Sequence, residues 1–454
     1  VPKDQTRTET RLERIKRLLR YPHARIRPLL GLLHPTEVAQ VLEDTSPEVQ
    51  EEIVRQLPKE LISEALAEMD ENHRPWQLLT ALHPEVAASL IKELAPDDAT
   101  DLLAEMPQEF KDRILFYIPD EEEEVINQLL TYDEESAGGL MNPEVAKVRS
   151  DLSKLEALRE IVRLSEEMEE FYAIYVVDEE DKLSGYLTFK SLFQAKNYEI
   201  VRDIMQPDII SVNANMDQEE VAKVMSQYNL PTIPVVDEGG KLLGRITFDD
   251  ILDVIEDETT EDILSFAGVS EDENLRGDWA NAVKSRIPWL MINLVTAGVA
   301  AFVIFQFDDI IAQIVILTSF MPIIAGVAGN GATQTLAVTI RRISTDGIPP
   351  NKAFKVVGKE VLTGLINGLL IGAIISIAAV FVSSMLGGNP MIGAVVFLAM
   401  IGNLLLAGFV GSFIPIFLER VGIDPAVASS ILITACTDII GYTLLFSLAQ
   451  ALLL

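Results

Sequence analysis

Polar and apolar positions divide the chain into three regimes. Through residue 131, apolar residues recur at helical spacing inside short segments, as at Val86, Leu90 and Leu94. From 132 to 258, short extended runs ending in Val-Val-Asp alternate with amphipathic stretches, which predicts an α/β fold. From Ile287 onward the chain is apolar on all sides, in five stretches at about 287–307, 310–340, 355–386, 391–418 and 425–453. Each exceeds the roughly 20 residues needed to cross a bilayer.

In the first regime prolines fall at 35, 47, 58, 84, 96, 107 and 119, with gaps of 12, 11, 26, 12, 11 and 12. Most open segments such as PTEVAQVLED, PEVAASLIKEL and PDDATDLLAEM. Proline suits a first helical turn, where its missing N–H costs nothing, and acids there suit the positive helix end. Ser46 before Pro47 can cap. Helices this short do not stand alone, so their stacking predicts an all-α superhelical repeat domain. The long gap holds an irregular unit around His73, Pro75 and Trp76. The basic start, from Arg7 to Arg20, suggests a first helix packed on an acidic domain, with a small membrane-surface helix as the alternative.

The second regime is a duplication. GGLMNPEVAKVRSDLSKLEALREIV is followed by FYAIYVVDEEDKLSGYLTFKSLF; RDIMQPDIISVNANMDQEEVAKVMSQYNL is followed by PTIPVVDEGGKLLGRITFDDILDVI. The turns DEEDK and DEGGK separate paired strands. The module resembles a tandem pair of CBS domains, a family that often binds adenine nucleotides. Its Gly-x-x-Thr/Ser-x-x-Asp motif is complete in the second half (Gly244, Thr247, Asp250), where Thr247 and Asp250 suit a ribose. The first half has Gly185 and Thr188 but Ser191 in place of the acid. ATP or another adenine nucleotide is thus one expectation, and a purely structural, ion-sensitive pair is the other.

Charge changes the picture. The 454 residues carry a formal net charge of −33. From Ile287 onward there are seven acidic and six basic residues, which leaves 62 acidic and 30 basic in the first 286. A strongly acidic soluble portion precedes a near-neutral membrane portion. Such a surface argues against nucleic acid, which needs cationic neutralisation of phosphates, and invites cations. Acids crowd the end of the duplicated module at Asp249, Asp250, Asp253, Glu256, Asp257, Glu258, Glu261 and Asp262. Oxygen-only ligands favour Mg2+ or Ca2+. The single cysteine, Cys436, excludes a disulfide framework. No nucleophile–base set suggests an enzyme, and the polar first residues suggest no cleaved signal peptide.

TTEDILSFAG reads as a helix closed by Gly268, followed by a polar turn and then by Trp279 and Trp289 flanking Lys284 and Arg286. Arg341, Arg342, Lys352, Lys355 and Lys359 follow the second span, and Arg420 follows the fourth. The positive-inside rule places these loops and the N-terminal portion in the cytoplasm and the C-terminus outside. Pro322 and Pro415 are expected to bend their helices.

Two features of the spans carry chemistry. The stretch FMPIIAGVAGNGATQTLAVTIRR, from Phe320 to Arg342, is polar and glycine-rich between apolar segments. Such chain lines a cavity or a close helix contact. In the last span Thr434, Asp438 and Gly441 share a face, and Asp438 lies about midway. An ionised carboxylate at that depth is costly and functional by default. No basic residue lies mid-span to pair with it, so its partner is a cation.

The order of regimes resembles the MgtE family of magnesium channels. The resemblance rests on YDEESAGGLM, on Pro-x-x-x-Gly-x-x-Gly-Asn-Gly-x-x-Gln-Thr at 322–335, on Gly-Ile-Asp-Pro-Ala before the last span, and on Thr-Asp-x-x-Gly around Asp438. Thr335 stands where the family commonly has Ser, which keeps the hydroxyl. The resemblance implies a helical repeat domain at 1–131, CBS domains at 132–200 and 201–252, a plug helix and linker at 253–286, and a five-helix membrane domain at 287–454. It implies a homodimer in a bacterial inner membrane with the pore on the two-fold axis. Asp438, Gly329, Asn330, Ala332, Thr434 and Thr335 would line the path. Asp97, Asp250, Asp253, Glu258, Glu261 and Asp262 would bind regulatory Mg2+ that closes it. An H+- or Na+-coupled divalent cation transporter is the alternative, followed by a membrane-bound ion or nucleotide sensor.

Overall fold

The computed structural model describes residues 33–70, 73–168, 172–270, 279–427 and 430–454. The basic start and most of the polar turn before Trp279 lie outside them. The chain divides into two compact units, residues 1–256 and 257–454.

The first unit opens with α1 (Pro35–Glu43), α2 (Pro47–Gln56), α3 (Lys59–Ala67), α4 (Pro75–Ala81), α5 (Pro84–Ile91), α6 (Pro96–Ala104), α7 (Gln108–Leu115) and α8 (Asp120–Leu129). Proline occupies the first turn of α1, α2, α4, α5 and α6. It takes the N-cap position of α3, α7 and α8 instead. Ser46 sits at the N-cap of α2, but its side chain does not make the cap bond. Each helix packs on the one two places later: α1 on α3, α3 on α5, α5 on α7, and likewise α2, α4, α6 and α8. That two-row stacking is the expected superhelix. Leu42, Ile62, Leu66, Leu79, Leu90, Ile91 and Leu103 form its continuous core. Ser63, fully buried, donates to the Leu90 carbonyl at 2.8 Å and ties α3 to α5.

The duplicated module follows as β1 (Lys147–Arg149), α9 (Lys154–Glu167), β2 (Ile174–Val177), β3 (Leu183–Leu187), α10 (Phe189–Gln194), α11 (Val201–Ile204), β4 (Val212–Asn213), α12 (Gln218–Tyr228), β5 (Thr232–Val236), β6 (Leu242–Thr247) and α13 (Phe248–Ala267). The two three-stranded sheets have the same topology: a parallel pair, then an antiparallel pair with a register shift at the same place. Main-chain bonds from Leu183 to Gly240 and from Leu242 to Asp181, each 3.0 Å, join the halves. The segment YDEESAGGLM, expected at the head of the first half, instead completes the second. Ala137 and Gly138 donate to Met216 and Ala214, and Ala137 and Met141 are buried in the second half's core.

α13 joins the closing helix of the module and the expected plug helix into one 20-residue helix, with the unit boundary inside it. It ends at Gly268, whose φ of +71° suits glycine. Val269 N–H reaches back to the Leu264 carbonyl at 2.9 Å.

The second unit contains five helices long and apolar enough to cross a membrane. They are α14 (Trp279–Gln306), α16 (Met321–Asp346), α17 (Ala353–Met385), α18 (Ile392–Val421) and α19 (Ser430–Leu453), with a short α15 (Asp308–Gln313) after the first. The second span is therefore not one helix from 310 to 340. It breaks at Ile314 and passes through a 3-10 turn, Val315–Ser319, before α16 begins. Pro322 lies in the first turn of α16, where it displaces no hydrogen bond, so it starts this helix rather than bending it. Pro415 lies inside α18. α17 and α18 pack most closely, because Gly364 and Gly408 admit the backbone of Leu404 and Glu360 respectively. Leu317, Ile324, Val396, Met400, Leu445 and Phe446 form the central core.

Candidate ion path and acidic junction

The Gly-Asn-Gly stretch is continuous helix. Its chemistry lies in what its bareness admits. A Cβ on Gly329 would stand 3.1 Å from Thr434 Cγ2 and 3.8 Å from Thr437 Oγ1, so α16 meets α19 on backbone just before Asp438. Thr437 is fully buried and donates to the Thr434 carbonyl at 2.8 Å. Asn330 is exposed. Ala332 is fully buried against α18, where Gly411 closes on its carbonyl. Thr335 also meets Gly411, and its hydroxyl donates to the Gly331 carbonyl at 3.1 Å. Ala332 and Thr335 thus serve the α16–α18 contact, while Gly329 serves α16–α19.

Asp438 and Thr434 line a cavity of about 210 Å³. Its opposite wall is α14, through Asn293, Thr296 and Ala300. Thr296 donates to the Asn293 carbonyl at 2.9 Å. With its proton committed, the threonine oxygen is left as an acceptor. Gly441, expected on the same face, instead admits the side chain of Asn403 from α18. Asn403 is fully buried and donates to the Ile324 carbonyl at 3.4 Å. Sequence reading missed Asn293 and Thr296, two polar residues in an apolar run.

The end of α13 that belongs to this unit is seated on the same helices. Phe266 packs against Ala332, Leu336, Val410 and Ile433. A Cβ on Gly268 would collide with Ile431 at the start of α19.

In the first unit, α6 presents Asp97 and Asp98 to the second CBS half. Burial, then repulsion by Asp98 and Asp250, pushes the Asp97 carboxyl up to about 8. Burial and repulsion by Asp250, Asp101, Glu68 and Asp249 push Asp98 to about 7. Asp250 is raised too, by burial, although Thr247 donates to it through its hydroxyl at 2.7 Å and its amide at 3.1 Å. Asn142, from the Met-Asn-Pro start, donates its side-chain N–H to Asp97 Oδ1 at 3.1 Å. Asp97 and Asp250 thus lie within electrostatic reach of each other. Asp253 is within electrostatic reach of Asp250. Glu258, Glu261 and Asp262 continue along α13 beyond the unit boundary. Asp98 and Asn142 were not singled out: the first reads as an ordinary helix-start acid, the second as part of a turn.

Thr247 and Asp250, expected to hold a ribose, cap the start of α13 on each other. Thr188 does the same with Ser191 in the first half. Among the described residues, no three His, Cys, Asp or Glu side chains converge tightly enough to cage a bare metal ion.

Comparison with known proteins agrees with this architecture. The profile of the MgtE intracellular N domain matches residues 33–135, CBS domain profiles match 137–198 and 201–257, and the MgtE profile, described as a divalent cation transporter, matches 321–448. A magnesium transporter MgtE of Thermus thermophilus is 33% identical over 330 residues, 72% of either chain. A crystal structure of the soluble part of a magnesium transporter superposes with a TM-score of 0.50 at 28% identity, covering 55% of this chain and 99% of that one. The cytosolic domain of a Mg2+ channel MgtE, solved in complex with ATP, is 34% identical, with a TM-score of 0.48, covering 50% of this chain and 93% of that one. With its acidic helical repeat, CBS pair and five spans in this order, the chain belongs to the MgtE family of magnesium transporters, which are not enzymes.

Proposed function

We propose that the chain is a Mg2+-selective channel that carries magnesium inward down its electrochemical gradient and is closed by cytosolic Mg2+. The observation that carries this reading is Asp438, an acid within a span, in a cavity it shares with Thr434, Asn293 and Thr296. A hydrated Mg2+ presents outward-pointing water protons and gives up its shell reluctantly. A path for it should offer oxygen acceptors rather than a tight cage, which is what a carboxylate and hydroxyl oxygens supply. Two copies on a two-fold axis would place a pair of Asp438 carboxylates about one ion. The apolar surface of α14, only 6% of whose span is buried within this chain, leaves ample surface for a partner and lipid.

The acidic junction supports the gate. Burial first, and neighbouring carboxylates second, raise Asp97, Asp98 and Asp250, and a divalent cation held among them would relieve that penalty on their charged forms. Mg2+ keeps most of its waters, so carboxylates can hold it through its hydration shell. Asp253, Glu258, Glu261 and Asp262 extend the acidic run toward the membrane unit. As cytosolic Mg2+ falls, unshielded repulsion would favour separation of these domains and release of α13, a population shift driven by differential ion affinity. An adenine nucleotide at Thr247 and Asp250 would have to share Asp250 with this junction. The positive-inside rule, applied to the basic loops, supports soluble domains on the cytoplasmic side and a C-terminus outside.

The test is Mg2+ flux in proteoliposomes for the intact chain and D438A, with and without millimolar Mg2+ on the cytosolic face. Downhill flux that vanishes in D438A and is suppressed by cytosolic Mg2+ supports pore and gate. Uptake driven by a pH or Na+ gradient alone would replace the channel with a coupled transporter. Absence of flux at either Mg2+ level, in folded protein, would overturn both.

A further inference from the structure

A second cavity, of about 260 Å³, lies between the end of α16 and the start of α17, lined by Arg342, Gly347, Ile348, Pro349 and Lys352. It belongs to no part of the ion path or the acidic junction. Its walls are held in place. Gly347 donates to the Ile343 carbonyl at 3.0 Å and closes α16; Lys352 donates to the Pro349 carbonyl at 2.8 Å. Arg420 at the end of α18 donates to the Pro350 carbonyl at 3.1 Å. Ile348 is buried with Ile343, Ala353, Val356 and Ile416 underneath. This is a formed pocket with two cationic side chains at its rim.

All six basic residues after Ile287 (Arg341, Arg342, Lys352, Lys355, Lys359 and Arg420) gather at this end of the membrane helices, together with four acids, Asp346, Glu360, Glu419 and Asp424. Lys359 pairs with Glu360 at 3.2 Å, and Arg420 is engaged with the loop. Arg342 and Lys352 face the cavity. Phe354, 82% exposed, follows Lys352 by two residues, in the first turn of α17, where an aromatic ring suits the headgroup level of a bilayer. Apolar spans begin directly on both sides.

We propose that this cavity binds the phosphate of an anionic phospholipid headgroup. Two cations at the rim match a phosphodiester carrying a net negative charge, and basic pockets between helices at the membrane surface are a recurring form of lipid recognition. Membrane-interface depth and the adjacent exposed Phe354 favour a lipid over a soluble anion. A bound headgroup would pin the end of α16, the helix that carries Gly329. The site stands on its own geometry, whether or not the channel reading holds.

The test is native mass spectrometry of the full chain in neutral detergent, titrated with phosphatidylglycerol, phosphatidylcholine or inorganic phosphate. Phosphatidylglycerol should be retained at one tight site per chain, well above phosphatidylcholine. The R342Q/K352Q variant should lose that retention by roughly tenfold or more, since each cation near the surface contributes appreciably. The K355Q/K359Q variant removes the same charge outside the cavity and should keep retention within about twofold of the intact chain. Equal loss in both variants would reduce the effect to bulk charge, and equal retention of phosphatidylcholine would remove the selectivity; either overturns the proposal. Displacement of the lipid by millimolar inorganic phosphate would make this a soluble-anion site and overturn the lipid assignment.

Discussion

The side-chain amide of Asn142 donates to Asp97 Oδ1 at 3.1 Å, linking the CBS module to the helical repeat. Its other amide atom, Oδ1, accepts from Glu144 N–H at 2.8 Å, so the donor is aimed rather than free to turn. A neutral donor therefore already holds one oxygen of the most strongly perturbed carboxylate in the junction.

Replacing Asn142 with Ala removes that bond. A hydrogen bond contributes roughly 0.5–1.5 kcal/mol net, so about 1 kcal/mol is expected here. The Mg2+ concentration that protects the junction from protease should rise about fivefold. N142D keeps the Glu144 bond and adds a further carboxylate, so it should need still more Mg2+. Unchanged protection in both variants would show that docking ignores this contact.

The pH dependence has a definite sign. Asp97 and Asp98 are raised in the docked state to about 8 and about 7 from an ordinary 3.8. Between these values the docked form binds more protons than the separated form, so rising pH disfavours docking. In Mg2+-free buffer, amide exchange in Pro96–Ala104 should be slowest near pH 4, accelerate as pH climbs, and level off above about 8, after correction for intrinsic rates. Millimolar Mg2+ should abolish the acceleration. A junction tighter at pH 8.5 than at pH 6 without Mg2+ would contradict the assignment.

Gly441 offers a test of packing near Asp438. A Cβ there runs into the buried amide of Asn403, which is itself tied to Ile324. Overpacking of this kind costs about 1–3 kcal/mol. G441A should melt several degrees lower in detergent, and adding N403A should recover much of the loss by removing the obstructing amide. Additive destabilisation in the double variant would mean that the two residues do not share the space.

Legibility in the sequence followed the range of the signal. The short helices were announced by proline because its effect is local, and the CBS pair by duplication. The five spans followed from composition. The break at Ile314 was not readable, because an apolar run reports depth in a membrane and not helical phase. Asp438 was conspicuous as a lone mid-span acid, whereas Asn293 and Thr296 acquire meaning only when α14 packs beside α19. Asp97 and Asp250 were named from the resemblance; Asp98 and Asn142 needed the folded junction.

The contribution of α14 to the ion path can be tested at Thr296. Its proton is spent on the Asn293 carbonyl, so toward the cavity it offers only an oxygen. T296V keeps the shape and removes that acceptor. Losing one hydrogen bond to a hydrated ion costs roughly 0.5–1.5 kcal/mol, so Mg2+ flux should fall about two- to tenfold. The loss should be far smaller than in D438A, where a full charge disappears: a charge pair at ~4 Å is worth about 4 kcal/mol at an effective dielectric of 20. The Mg2+ concentration for closure should not move, because Thr296 is remote in sequence and function from the acidic junction. Normal flux in T296V would confine the path to α16 and α19, and a shifted closure threshold with unaltered maximal flux would reassign α14 to the gate.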